Sequence, residues 1–428
     1  MKTTLIYLPH PYLSQPDSQA PLGLMYLASV LRNNDIDVQI KNYTSFSTDE
    51  AINDLTESDI FGITSTSVEL LQANRFAKRI KDKFPNSYII IGGPGTYSDE
   101  FIDWSVIDSI CKGEAEKTIL DIVSDIKHGK PKKIYNGDPV IDLDTIPPPA
   151  RDLLGDNQGG NIFAYNHRYK EGQTTIILTS RGCAFSCAFC SAPRARQCGK
   201  VIRYRSPQNI LYEIESVMEE FNIQQFRISD DMFTQNAKHV KNFCDVVAPL
   251  DIAWRISCRV KPFSKEIACM LKNAGCKEVS FGIESFDDDV LKLLKKGTTS
   301  RDNIKALEIC REVGLKTRAL MMIGTPGQTK DTVKTNINIL EKVPYDIVSC
   351  TIFMPLPGSE IWVCPEKFGI KILDKNLDNY NFYFFGNKGE NEIKNVIKIH
   401  GRSQKEVKNE IIEFRNYLKN TNKINKGL

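Results

Sequence analysis

Short apolar runs alternate with longer segments whose apolar residues recur at helical spacing, and this rhythm continues as far as Met354. In the first third of the chain Thr3–Leu8, Val38–Tyr43, Ile60–Thr64 and Tyr88–Ile91 read as strands, with Ile107–Cys111 a further short one. Between them Leu22–Asn33, Val68–Phe84 and Glu114–Ile126 read as helices. This alternation predicts an α/β domain, a Rossmann-like doubly wound parallel sheet with ligands beyond the carboxyl ends of its strands. A break follows at Ile146-Pro147-Pro148-Pro149. Six further strands are then predicted: Thr174–Ser180, Gln225–Ser229, Ile252–Ser257, Glu278–Ile283, Lys316–Gly324 and Ile347–Met354, with helices between them. Six βα units predict a partial (β/α)6 barrel rather than a closed one of eight. The predicted domains are 1–145, a linker over 146–173, the barrel over 174–354, and a C-terminal capping region with a basic tail over 355–428. Glu406–Tyr417 reads as a last helix.

Composition narrows the class without naming it. The chain has 428 residues, 41% of them hydrophobic and 25% charged, which predicts an ordinary globular protein. A net charge of +3, carried by dispersed Lys and Arg, gives no nucleic-acid signature. The apolar run in MKTTLIYLPHP is too short for a signal peptide, and no stretch reaches the ~20 apolar residues of a membrane span. Of 12 cysteines only Cys111 precedes Cys183, so the N-terminal region has no disulfide framework and the expected location is cytoplasmic.

The remaining cysteines begin with a distinctive group. Cys183, Cys187 and Cys190 lie in Arg-Gly-Cys-Ala-Phe-Ser-Cys-Ala-Phe-Cys, directly after the β-branched run Thr174–Ser180. Three thiolates at this spacing can hold three irons of a [4Fe–4S] cluster and leave the fourth open, whereas structural clusters carry four cysteines. Two other readings are a zinc site, which needs a fourth ligand such as Cys198, and buried free thiols. The spacing, the preceding strand and the aromatic Phe189 resemble the radical S-adenosylmethionine (SAM) enzymes. That resemblance implies that Cys183, Cys187 and Cys190 ligate the cluster, that SAM chelates the open iron, and that one-electron cleavage yields a 5′-deoxyadenosyl radical. It also implies an external one-electron reductant of flavodoxin or ferredoxin type.

The N-terminal third adds a second resemblance. Pro21–Ala28 (PLGLMYLA), Ile60–Ser65 (IFGITS), Ile89–Gly95 (IIIGGPG) and Cys111–Ala115 (CKGEA) together resemble the cobalamin-binding domain fused to one branch of the radical SAM family. Expected corrinoid-facing residues are Pro9 and His10 (in the loop through Pro11 and Tyr12), Ser65, Thr66, Gly92, Gly93 and Glu114. The Asp-x-His-x-x-Gly motif of other cobalamin proteins is absent. His10 is the one histidine on the expected rim, and a solvated loop residue is its first reading. The alternative for the whole domain is a vestigial fold.

Polar residues at the barrel rim complete the expectations. Asp230, in Ser229-Asp230-Asp231, could receive the SAM amino group or a substrate hydroxyl, or cap the next helix. Glu284, in Val279–Ser285, resembles a SAM-contacting position, as Gly324 in Met322–Gly327 and Phe189 resemble adenine-contacting ones. Arg255, Arg259 and Arg318 compete for the SAM carboxylate, and Arg318 joins the expected cofactor-binding set. Arg203-Tyr204-Arg205 reads as a charged turn, and Tyr380, Phe382, Tyr383, Phe384 and Phe385 as an aromatic core or an apolar wall. The expected activity is cobalamin-dependent radical SAM methylation of an unactivated carbon in a small molecule. The alternative radical outcomes are deoxygenation, rearrangement or cyclisation. Outside this class stand a corrinoid sensor with a structural metal and an iron–sulfur electron carrier.

Overall fold

The computed structural model describes residues 1–10, 20–154, 173–191, 201–380 and 396–421, which fall into two compact units. Strands β1 (Lys2–Tyr7), β2 (Asp37–Asn42), β3 (Ile60–Thr64), β4 (Tyr88–Gly92), β5 (Ser109–Gly113) and β6 (Ile134–Gly137) form the sheet of the first unit. All pair in parallel, in the order β2-β1-β3-β4-β5-β6. Consecutive residues such as Leu5 and Ile6, or Ile89, Ile90 and Ile91, are all buried, as expected of a parallel sheet covered on both faces. The strand order reverses direction between β1 and β3, and the carboxyl ends of those strands define the switch point where such sheets bind ligands.

Two elements escaped the apolar rhythm. Helix Thr48–Asp54 carries little apolar residue content but starts with a capping box, Ser47 and Glu50 each bonding the other's backbone. Strand β6 is short and alternates exposed Ile134 with buried Tyr135. The helix expected from Val68 starts at Leu70, because Ser67–Glu69 form a 3₁₀ turn closed by Glu69 on the Thr66 amide.

The second unit carries β7 (Thr174–Ile177), β8 (Ser180–Arg181), β9 (Arg203–Tyr204), β10 (Gln225–Ile228), β11 (Ala253–Cys258), β12 (Cys276–Glu284), β13 (Lys316–Ile323) and β14 (Ile347–Ile352). Six of these form a parallel sheet in the order β14-β13-β12-β11-β10-β7, with its end strands unpaired to each other, so the barrel is open. Strand β7 stops at Ile177, three residues earlier than the β-branched run suggests. Ser180 and Arg181 leave the sheet and pair antiparallel with β9. Arg205 fixes that departure: its amide donates to the Thr179 carbonyl and its Nη1 to the Leu178 carbonyl. The segment from Arg203 to Arg205 is therefore a buried strand and clamp, not a charged turn.

The amino-terminal half of the barrel interior is charged. Glu278 Oε1 accepts from Arg318 Nε at 2.9 Å and lies 3.5 Å from Arg255 Nη1, all three side chains being nearly inaccessible. The described residues from 355 onward pack within the second unit rather than as a separate body. They include the antiparallel pair β15 (Ile370–Ile372) and β16 (Ile397–Ile399), and helix Gln404–Asn420, which extends beyond Glu406–Tyr417 because Ser403 and Glu406 form its capping box. Tyr380 is buried against Trp362 and donates to the Asp374 carbonyl, so it is a core residue; Phe382, Tyr383, Phe384 and Phe385 lie outside the described residues. Among the described residues no helix is long and apolar enough to cross a membrane.

One close approach tests the first unit. A Cβ on Gly137 would sit 1.9 Å from the Glu114 carbonyl oxygen. Gly137→Ala should therefore destabilise that unit by roughly 1–3 kcal/mol, the usual range for overpacking. Thermal unfolding of the full chain should show its first transition move several degrees downward.

Candidate active site

The cysteine loop begins where β7 gives up its pairing, and two adjacent acids hold it there. The Asp230 carboxylate accepts from the Thr179 amide at 2.7 Å, the Thr179 hydroxyl at 2.5 Å and the Ser180 hydroxyl at 2.6 Å. The Asp231 carboxylate accepts from the Gly182 amide at 3.2 Å. Gly182 has φ +107, and a Cβ there would lie 2.8 Å from the Val201 carbonyl oxygen, so only glycine permits the turn into Cys183. Further along, the Ala188 amide donates to the Leu294 carbonyl and the Ala188 carbonyl accepts from Ile361.

Asp230 is thus engaged by the cysteine loop and is not the cap of the next helix. Its carboxylate is occupied by the loop, and the next helix, Ala237–Val247, is capped by Asn236. Burial pushes the Asp230 carboxyl up to about 6, against the hydrogen bonds that lower it. Because the Thr179 hydroxyl gives its proton to Asp230, His239 Nε2, 2.9 Å from that hydroxyl, must be the donor to it. Burial holds His239 neutral, with its pKa lowered to about 4.

The three cysteines share partial exposure with Cys269 and Cys364 alone among the other described cysteines. Cys183 and Cys187 are half-buried and Cys190 is exposed, whereas Cys111, Cys244, Cys258, Cys276, Cys310 and Cys350 are buried. Burial pushes the thiols of Cys111, Cys244 and Cys310 up to about 12, so these remain protonated and inert. Cys198 lies outside the described residues. Among the described residues no three Cys, His, Asp or Glu side chains are gathered tightly enough to hold a single metal ion.

Around the loop the structure separates the three arginines. Arg318 and Arg255 belong to the Glu278 network in the first half of their strands, away from the strand carboxyl ends. Arg318, expected among the cofactor-binding residues, lies instead on Glu278 in this buried network. Arg259, the first residue after β11, lies beside the cysteines: its Nη1 donates to Cys187 Sγ at 2.9 Å, and its guanidinium carbon is 3.9 Å from the centre of the Phe185 ring. Its Nε and Nη2 are buried with no hydrogen-bond partner among the described residues.

Glu284 ends β12 at a register shift and holds φ +62, a left-handed conformation that costs a non-glycine residue about 1–3 kcal/mol. Its Oε1 pairs with Lys296 Nζ at 2.8 Å, and that ammonium lies 5.8 Å from the Phe189 ring centre. Lys296, buried and directed at two expected site residues, carries no sequence signal that would have found it. Gly324 has φ +77 and donates its amide to Gln328 Oε1, so only its carbonyl side remains for a ligand.

In the first unit the expected residues gather at the carboxyl ends of β1, β3 and β4. His10 is buried rather than solvated: its Nδ1 is 3.3 Å from Glu69 Oε1, and its amide donates to Thr44. The Pro9 carbonyl accepts from Gln72 Nε2. Ser65 is buried and donates to the Thr66 carbonyl, while Thr66 is exposed at the rim. Gly93, at φ +87, is required by the protein itself, since a Cβ would lie 2.8 Å from the Ser65 carbonyl oxygen. Gly92 is not: a Cβ there would meet nothing within 4 Å, which leaves room for a ligand edge. Glu114 is turned to the backbone, its Oε2 accepting from the Val140 amide at 2.9 Å, so it holds the chain beyond β6 rather than lining the rim. Pro11 and Tyr12 lie outside the described residues.

Comparison with known proteins follows the same division. The Radical SAM superfamily matches residues 177–340, and the B12 binding domain matches residues 16–123. An uncharacterized methyltransferase of Pyrococcus horikoshii is 30% identical over 370 residues, covering 80% of this chain and 77% of its own length. The anaerobic magnesium-protoporphyrin IX monomethyl ester cyclase of Rubrivivax gelatinosus is 24% identical over 393 residues, covering 85% and 68%. Among solved structures, the radical S-adenosylmethionine methyltransferase TsrM from Kitasatospora setae, with cobalamin and a [4Fe–4S] cluster bound, shares the fold at a TM-score of 0.67. Its identity is 19%, over 87% of this chain and 80% of that one.

Two measurements probe the clasp. Asp230→Ala leaves three donors without their acceptor, at about 1–3 kcal/mol for each one kept from water. The variant should fold by circular dichroism yet retain less than half the wild-type iron after anaerobic reconstitution, with Asp230→Asn between the two. The second concerns pH. The unfolded chain protonates His239 near 6.5 and the folded one only near 4, so this group's stabilisation is full above pH 6.5 and declines as pH falls towards 4. Asp230 has the opposite slope, favouring the folded state as pH falls from about 6. His239→Gln removes the first effect alone, so its melting temperature should rise relative to wild type between pH 6.5 and 4.

Proposed function

This chain belongs to the radical SAM superfamily, in the branch that carries a B12-binding domain, and we propose that it methylates an unactivated carbon of a small-molecule substrate. The observation that carries this reading is the pairing, in one chain, of an accessible three-cysteine loop with a doubly wound sheet of the B12-binding type. Cys183, Cys187 and Cys190 would hold a [4Fe–4S] cluster, whose open iron supplies one-electron cleavage of SAM. A corrinoid on the first unit would supply methyl-group transfer, and the open space at Gly92 with the rim residues Thr66 and His10 supports its binding there. Electrons would come from a flavodoxin- or ferredoxin-type reductant.

The chain's own residues have definable tasks. Arg259 Nε and Nη2 are buried donors without an acceptor among the described residues, and a carboxylate accepts such a pair bidentately. This supports Arg259 as the residue that receives the carboxylate of SAM. Glu284, held by Lys296 in a costly backbone conformation, supports a role on the ammonium or ribose of the same molecule. Phe189 and the carbonyl side of Gly324 are the apolar and polar elements available to adenine. The Asp230–Thr179–Ser180 clasp positions the thiolates without touching any of these groups.

Methyl transfer is favoured over other radical outcomes because the Pyrococcus relative and the Kitasatospora structure are both named methyltransferases. The Rubrivivax relative, a cyclase, is the specific observation behind a second reading, radical cyclisation.

Anaerobic incubation of the reconstituted full chain with SAM bearing a CD₃ methyl group, cobalamin and a reductant distinguishes the two. Methylation predicts 5′-deoxyadenosine, S-adenosylhomocysteine and a CD₃-labelled corrinoid. Formation of 5′-deoxyadenosine with no S-adenosylhomocysteine and no retained corrin would overturn methyl transfer in favour of the second reading. Cys187→Ala should reduce 5′-deoxyadenosine at least 100-fold.

A further inference from the structure

Arg259 does more at this loop than its vacant donors require. Of its three guanidinium nitrogens, Nη1 is committed to a cysteine sulfur, Cys187 Sγ, at 2.9 Å. Its guanidinium carbon lies over the ring of Phe185, two residues before that cysteine, at 3.9 Å from the ring centre. Arg259 is only 6% exposed, so water screens its charge little. A fixed positive charge donating a hydrogen bond to a thiolate stabilises whichever state of an attached cluster holds more electron density. Hydrogen bonds to the sulfurs and net local charge are the levers that set such potentials.

We propose that Arg259 sets the reduction potential of the cluster through Cys187, raising it so that a physiological one-electron donor can fill it. This deepens the functional reading above and rests on Cys187 being a cluster ligand. The same residue then links two sites. Its Nε and Nη2 meet an anion while Nη1 meets the cluster, so occupation by the SAM carboxylate partly neutralises the charge that favours reduction. Reduction and SAM binding are thereby coupled, and the coupling is reciprocal. Phe185 is the positioning residue: its ring fixes the guanidinium and so the direction of Nη1.

The test is a redox titration of the anaerobically reconstituted full chain, without SAM, following the electron paramagnetic resonance signal of the reduced cluster. The transition adds one electron from dithionite or titanium(III) citrate to the oxidised cluster, with no bond broken. Arg259→Met, which keeps the stem and removes the charge, should lower the reduced-to-oxidised ratio at a fixed poise at least tenfold, a shift of 59 mV or more for one electron. Arg259→Lys, which keeps the charge but not the planar fork, should recover at least half of that shift. Phe185→Leu, which leaves the donor in place but unseats it, should show a smaller fall in the same direction. Wild-type potential in Arg259→Met overturns the proposal. If Arg259→Met holds no cluster, unchanged potential in Phe185→Leu overturns it instead. Because no SAM is present, these outcomes are separate from any failure of methyl transfer or SAM cleavage, which would show as missing 5′-deoxyadenosine in the wild type.

Discussion

A buried carboxylate, Asp230, organises the half of the molecule where the chemistry resides. Strand β7 is the last strand on one side of an open sheet, and continuing it past Ile177 would carry the cysteines away from β10. Instead Asp230, two residues beyond β10, takes the Thr179 amide and two hydroxyls and bends the chain across the strand ends. The desolvation that raises its pKa is the cost of this arrangement, and three donors around one carboxylate offset it. Removing the acid alone would leave those donors buried and unmatched, which is why the contact constrains the loop and does not merely decorate it.

The barrel divides into two electrostatic regimes by strand direction. In the first half of β11, β12 and β13, Arg255, Glu278 and Arg318 compensate one another inside the sheet. Such a network adds little net stability, but losing one partner would cost about 3–5 kcal/mol by exposing the other charge to a low-dielectric interior. Beyond the strand ends, Arg259 and the Glu284–Lys296 pair face the cysteine loop. The difference between Arg318 and Arg259 is therefore one of position along a strand, not of residue chemistry.

That difference marks the limit of what the sequence makes legible. The βα rhythm, the open six-strand barrel and the three-cysteine loop follow from periodicity and spacing, which are local properties. The partner of a buried side chain is not local. Asp230 reads as a candidate ligand because it follows a strand, and only the fold reveals that Thr179 and Ser180 occupy it. Glu114 likewise sits in a recognisable motif, yet its carboxylate turns to the Val140 amide. Arg205 looks like part of a solvated turn because its acceptor, the Leu178 carbonyl, lies 27 residues away in the chain. Lys296, in a charged Lys-Lys-Gly segment, resembles a surface residue until its ammonium is found buried on Glu284.

Glycine behaviour makes the same point in the first unit. Gly92 and Gly93 are adjacent and read alike, as places where backbone can approach a ligand. Gly93 proves to be demanded by the end of β3, whose carbonyl would clash with any Cβ, so its presence carries no information about a ligand. Gly92 meets no such protein constraint, and the space beside it is what distinguishes a binding edge from a packing necessity.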